Sequence, residues 1–392
     1  MFLQRPEPHS DESLESFFIR VANNNGYEDT HRFLIVTKRY LQDENHDRFE
    51  AFPTDIKTIN PYSSKNNHGS RVAALHKIAL MTFNEQTEIL SLAINRTSLI
   101  YSPSTTTLVR GSEVIPRSLL RKNTIPCCPK CLYEEGFGHY LWHFNGYNHC
   151  HKHNALLTYK CACGADYDYR IAGLNGLCRE CDTYLNPNQQ QPDSAENKTS
   201  AWLAGKTIEQ LPDLPQSYRW GLIHWWTHLT QKEFDGASFI DFWHRWPESF
   251  HHLIQQKIEF NLEHSIIHHD NLKLKDLLGD LFFSCIRLPE RNLKYNIVLN
   301  ELLRFIDNNL WRDNGLLANL KMNALEVSIF LNCSREQIVL MVDQRFLKTS
   351  RKAKPNKPLS FTDYLFHLGD VYCLWLAEFQ TDEFNRTFII SR

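Results

Sequence analysis

The sequence predicts a mainly α-helical protein in three parts. An N-terminal helical domain of helix-turn-helix character covers 1–122. A cysteine-rich segment built as two small modules covers 123–185. After a linker at 186–200, an all-helical C-terminal domain covers 201–392, with a helix-turn-helix near 322–348. Three observations carry this prediction. Apolar residues recur at helical spacing in one segment after another. Eight of the 11 cysteines fall between Cys127 and Cys181 in close pairs, and one polar, proline-containing stretch divides the chain.

Leu14, Phe17, Phe18, Val21 and Ala22 lie at i, i+3, i+4, i+7 and i+8, which places them on one helical face. Ser10 or Asp11 can cap that helix and Gly26 can end it. Residues 30–41 form a second helix with Phe33, Leu34 and Val36 inward, and 72–80 and 84–92 a third and fourth. Short helices joined by tight turns make a helix-turn-helix or a plain bundle, and the pattern accommodates both. Residues 61–70 and 102–107 read as polar loops. Arg117, Arg121 and Lys122 then bring three positive charges up to the cysteines, as a phosphate contact or a solvated face.

The cysteines sort into two tetrads. The first is Cys128-x2-Cys131 followed, after a longer interval, by Cys150-x2-His153; the second is Cys161-x-Cys163 followed in the same way by Cys178-x2-Cys181. A tight turn carrying two ligands one to four residues apart aims both at one ion, and two such turns complete the tetrahedron that zinc prefers. The reading is therefore two zinc-finger or zinc-ribbon modules holding about two zinc ions. Four protein ligands leave no open position, so the ions are structural and help fold a segment too small for its own core. Buried reduced cysteines are the plain alternative, and they do not explain four ligand pairs between Cys127 and Cys181. Cys127 beside Cys128, and His149 and His151 beside Cys150, leave the register of the first site open by one. Seven residues between His153 and Cys161 are too many for a cross-braced pair of sites, so sequential sites are expected.

Ile125, Pro126, Cys127, Cys128, Pro129, Lys130, Cys131, Leu132, Tyr133, Glu134, Glu135 and Gly136 are followed by Trp142, Gly146, Cys150, His153 and the pair Leu156 and Leu157. This order resembles the signature of the TniQ family: C-P-x-C-L, an acidic residue and glycine, a tryptophan, then C-x2-H and a hydrophobic pair. Cys163-Gly164 and the closing Cys178-x2-Cys181 continue it, with C-x-C where C-x2-C is commoner. Upstream, Asp11 to Ser16, Arg20, Asn25 to Tyr27, and Phe33-Leu34 resemble the family's opening. The likeness covers roughly 1–185.

The resemblance implies a target-selection protein of transposition, standing between whatever recognises the insertion site and the AAA+ ATPase that recruits the transposase. A chain of this length and modest charge is most similar to the TniQ of type I-F CRISPR-associated Tn7-like transposons. That likeness implies a homodimer docked on a type I-F Cascade with its guide RNA, meeting target DNA through the complex. TnsD-like members, which read a fixed DNA site themselves, are the alternative.

From 184 to 200 no large apolar residue follows Leu185, which marks the linker and a domain boundary. Trp220, Trp225, Trp226, Phe239, Phe242, Trp243, Trp246 and Phe250 come next at helical spacing and read as core. His224, His228, His251, His252, His264, His268 and His269 show no H-E-x-x-H order and read as surface or capping residues. Helices over 272–286 and 295–310 precede the second informative stretch. Ala324, Val327, Phe330 and Leu331 form one face, Asn332, Cys333 and Ser334 a turn, and Ile338, Val339, Met341 and Val342 the next face. This resembles a winged or tandem helix-turn-helix, whose second helix enters the major groove when DNA is bound. Arg335, Glu336, Gln337, Gln344 and Arg345 would then be its readers. Arg345, Lys348, Arg351, Lys352, Lys354 and Lys357 run without an acid before Ser360, as a nucleic-acid contact or a solubilising loop. An apolar helix at 363–377 closes the expected elements.

With 42% hydrophobic and 22% charged residues in 392, the chain has the profile of a folded protein of two or three domains. No run of about 18 apolar residues suggests a membrane span, and clustered cysteines fit a reducing cytoplasm. A net charge of -2 gives no global pull towards nucleic acid. Neither a phosphate-binding glycine loop nor a nucleophile with a spaced base is recognisable, so a binding protein is expected rather than an enzyme.

Overall fold

The structure is a computed structural model describing residues 3–102, 105–188, 191, 193–286, 288–290, 292–350 and 363–379. The chain divides into two compact units, Met1–His244 with Arg287–Pro289, and Arg245–Ile286 with Glu290–Arg392.

In the first unit the Ser13 hydroxyl accepts the Ser16 N–H at 3.1 Å, so α1 (Leu14–Asn24) starts at Ser13 and not at Ser10 or Asp11. All five residues of its expected apolar face are buried. Asp29 caps α2 (Thr30–Glu44), which buries Phe33 and Leu34 but leaves Val36 44% exposed, contrary to expectation. A short α3 (His46–Phe49) leads to the stretch expected as a polar loop. That stretch instead holds a 3-10 turn at Pro61–Ser63 and the start of α4 (His68–Thr82); α5 (Gln86–Leu92) follows.

The sequence did not predict the antiparallel meander that comes next: β1 (Ile94–Ser102), β2 (Thr105–Arg110) and β3 (Glu113–Pro116). Thr105 to Thr107 read as loop because they are polar, but their β-branched side chains suit a pleated, half-buried surface. The register of β1 against β2 shifts between Thr97 and Ser102, which breaks the alternation a sequence pattern would need.

The cysteine segment contributes α6 (Pro129–Glu135), β4 (His149–Cys150), β5 (Ala155–Leu156) and α7 (Tyr169–Ala172). Three further helices complete the unit: α8 (Ala195–Leu203), α9 (Gln216–Thr230) and α10 (Gly236–His244). The expected linker and the boundary at 186–200 are therefore corrected. Ser194 caps α8 inside that stretch, and Thr199 and Ser200 are fully buried. Ser200 Oγ accepts the N–H groups of Asn148 and His149 at 3.2 and 3.1 Å. Small hydroxyl residues that look like linker in composition thus satisfy backbone donors of the cysteine segment. On α9, Ser217 Oγ accepts the Val114 N–H of β3 at 3.0 Å, and the Trp220 ring lies 5.4 Å from Phe144. Trp202, Trp220, Trp225 and Phe239 are all but wholly buried, each side chain contributing about 2–3 kcal/mol by removal from water.

The second unit holds α11 (Glu248–Glu263), α12 (Leu274–Leu278), α13 (Leu281–Ile286) and α14 (Ile297–Asn309), then β6 (Lys321–Asn323), α15 (Ala324–Leu331), α16 (Arg335–Asp343), β7 (Tyr364–His367) and α17 (Leu368–Leu374). The single helix expected over 272–286 is two, because Gly279 takes a positive φ of +56 between them. The helix expected over 363–377 opens instead with β7, which pairs antiparallel with β6. Those two strands bracket the helix-turn-helix in sequence, and Val298, Leu302, Val327, Phe330, Leu331 and Leu368 supply the core.

Candidate metal centres

Pro129 at the first helical position lets α6 begin directly after Cys128, so Cys128 and Cys131 sit on one tight turn. The second pair comes from a hairpin. Cys150 on β4 pairs with Ala155 on β5, and Asn154, left-handed at φ +53, donates its N–H to the Cys150 carbonyl at 2.7 Å. His153 is thereby folded back over Cys150. The Cys131 and Cys150 sulfurs stand 3.4 Å apart, and His153 Nδ1 lies 3.4, 3.3 and 3.5 Å from the sulfurs of Cys128, Cys131 and Cys150. A tetrahedral zinc with its usual bond lengths sets donors about 3.5–3.8 Å apart. The four donors therefore fit that ion.

Cys127 is outside the cluster. Its backbone exchanges two 2.8 Å hydrogen bonds with Thr158. His149 and His151 are also elsewhere, the former with its N–H on Ser200 and the latter 2.8 Å from Tyr147 Oη. Cys128 and Cys150, then, set the register.

In the second cluster the short C-x-C turn closes because Gly164 is left-handed at φ +91 and donates to the Cys161 carbonyl at 2.9 Å. Asp182, at φ +52, does the same for Cys178 at 3.0 Å. Sulfur separations of 3.6 Å for Cys161 and Cys181 and 3.9 Å for Cys163 and Cys178 again suit zinc. The first cluster is largely buried, whereas Cys163 is exposed. In the first, Cys128 and Cys150, with burial, push the Cys131 thiol far above its ordinary value. A metal binds the thiolate forms, so protons compete with it and its hold weakens as pH falls.

A third grouping, Cys131, Glu135 and His139, borrows a ligand of the first cluster. It is built as an ion-pair brace. His139 stands between Asp11 at 3.1 Å and Glu135 at 2.5 Å, and the Lys152 ammonium reaches both carboxylates, at 3.2 and 2.7 Å. His139 and Lys152 hold the Asp11 carboxyl well below the usual range. Beside this brace, His153 Nε2 meets Glu134 Oε2 at 2.8 Å.

A buried polar chain fastens these modules to the N-terminal helices. Ser13 Oγ lies 2.8 Å from Tyr169 Oη, which lies 2.6 Å from His143 Nε2; Glu15 Oε2 is 3.9 Å from that nitrogen. Glu15 Oε1 in turn accepts from Asn60 Nδ2 at 2.9 Å, and Asn60 Oδ1 accepts the Ile94 N–H at 2.7 Å. Burial pushes the Glu15 carboxyl up and the His143 imidazole well down, so both favour neutrality. Arg20 pairs with buried Glu12 at 2.5 Å. Of the basic run before the cysteines, Arg121 is spent internally on the carbonyls of Trp142 and Tyr147 and on Asn148, while Lys122 is exposed on a cleft of about 620 Å3. None of these long-range partners had a local signal; only the acids after Cys131 did.

The residues expected to read DNA are dispersed. Ser334 and Gln337 form a reciprocal cap, with Gln337 Oε1 accepting the Ser334 N–H at 2.6 Å, so Gln337 is engaged in starting α16. Arg335 opens that helix. Arg345, left-handed at φ +65, and Lys348 are exposed beyond its end. Ile338 and Met341 are buried as expected, but Val339 and Leu340 are 41% and 48% exposed, and Phe346 59%. Arg351, Lys352, Lys354 and Lys357 lie outside the described residues. Among the histidines, His264 caps α11 as expected, but His224 is buried, 3.0 Å from Ser118 Oγ. No helix among the described residues is long and apolar enough to cross a membrane.

No curated protein matches the chain. The TniQ family model matches residues 3–157, a span running from the segment before α1 through the first metal cluster to the strand after it. Over those residues the chain is similar to the TniQ family.

Proposed function

We propose that this chain is a non-enzymatic target-selection adaptor of DNA transposition. As a homodimer it links an RNA-guided type I-F Cascade complex at the target site to an AAA+ transposition regulator, and so brings in the transposase. The TniQ match over 3–157 carries the reading, since likeness to that family supports a role in transposition target selection. Two further features agree with it. Both cysteine clusters offer four ligands to one ion, an arrangement that holds a fold and leaves no coordination position for a substrate. On α16 the outward positions include Glu336, Val339, Leu340 and Asp343, a face of acids and aliphatics suited to protein and repellent to phosphate.

The test is co-expression with a type I-F Cascade and its guide RNA, followed by size-exclusion chromatography in moderate salt. Co-elution as one species is the expected result. Separation, together with a salt-dependent shift of duplex DNA by the protein alone, would overturn the adaptor reading in favour of direct site recognition through the second unit.

A further inference from the structure

We propose that Glu134 is a positioning residue for the first metal centre: its carboxylate accepts the Nε2 proton of His153 and so commits Nδ1 of that ring to the zinc. The inference rests on reading the first cluster as a zinc site. A neutral imidazole carries one N–H and one lone pair, and whichever nitrogen is hydrogen-bonded to an acceptor leaves the other to coordinate. Here the division is geometric. Nδ1 faces all three sulfurs at 3.3 to 3.5 Å, and Nε2 faces Glu134 Oε2 at 2.8 Å.

The placement follows from the helix. Cys131 and Glu134 are three residues apart on α6, hence on one face, so the ligand and the carboxylate look towards the same hairpin. Gly136, left-handed at φ +70, ends the helix directly after Glu135. Consecutive acids thus grip consecutive residues of the second ligand turn, Glu135 holding Lys152 at 2.7 Å and Glu134 holding His153. The first acid after the cysteine pair therefore fixes the tautomer and raises the basicity of the one nitrogen ligand. The second cluster, made of four cysteines, has no imidazole to orient and serves as an internal reference.

The experiment uses the full chain loaded with zinc, an excess of the chromophoric chelator pyridylazoresorcinol, and the variants Glu134→Ala and Glu134→Gln. The expected result is that one of the two ions is lost with about 10–100-fold weaker affinity in Glu134→Ala, with a smaller loss in Glu134→Gln, which keeps an acceptor but not the charge. The other ion should leave as in the unaltered chain. In the cobalt-substituted protein, the absorption of the three-sulfur, one-nitrogen site should move while that of the four-sulfur site stays. Unchanged release of both ions from the folded variants would overturn the proposal, and so would equal weakening of both. An unaltered chain that binds no zinc would overturn the metal reading beneath it.

Discussion

His224 has a pKa lowered to about 4 by burial, with His228 adding a smaller push. As pH falls below about 6.5, the unfolded chain takes up a proton that the folded chain refuses, so this imidazole's contribution is whole above that pH and drains away towards pH 4. The amount lost by pH 4.5 is on the order of 3 kcal/mol. His224→Gln keeps a partner for Ser118 and cannot titrate. Urea midpoints at pH 7.5 and 4.5 should therefore separate less in the variant than in the unaltered chain; metal loss in acid affects both alike and drops out of the difference. Equal separations would mean that water reaches the ring. Residues of this kind were illegible in the sequence, where His224 is one histidine in an aromatic segment and its partner Ser118 lies 106 positions away. The eight residues of the two candidate metal clusters were legible for the opposite reason. Each pair is set by a turn whose two ligands lie two or three positions apart, so spacing alone encodes geometry.

Elements divide the same way. The face of α1 and the capped turn between α15 and α16 follow from patterns within a dozen residues, and they appear where the pattern put them. The β1–β3 meander does not, because its strands are short, threonine-rich and irregular in register, and the stretch of linker-like composition hides α8. The element on which most depends is the pairing of α6 with the β4–β5 hairpin. An ion shared by the two would add its binding energy to the fold of this pairing. Cys131→Ser removes a ligand and should cost the first zinc, the hairpin's protection from hydrogen exchange and partner binding together. Cys373→Ser, at an exposed position of α17, should change none of these. Cys285 is a poorer control than its scattered place in the sequence suggests, because it is buried in the second unit and a hydroxyl there needs a new hydrogen bond. Retention of zinc and binding by a folded Cys131→Ser chain would show that the ligand set is wrong.

At the scale of the whole molecule, both clusters belong to the first unit, and among the described residues the second unit groups no ligands of this kind. Metal dependence should therefore be confined to part of the chain. Protein purified without chelator is expected to carry about two zinc ions. Stripping them with a chelator takes away folding energy from 1–244 and leaves the helices of the second unit with their own core of Val298, Leu302, Val327 and Phe330. Hydrogen exchange read by mass spectrometry should then show protection collapsing in peptides from α6 through α7, falling in α1 and β1 through the buried Ser13, Tyr169, His143, Glu15 and Asn60 chain, and persisting in α14 to α16. Equal loss of protection in α14 to α16 would mean that the second unit has no independent stability. Unaltered protection in α6 to α7 after complete metal removal would mean that the fold of the cysteine segment comes from packing alone, and that the clusters are incidental to it.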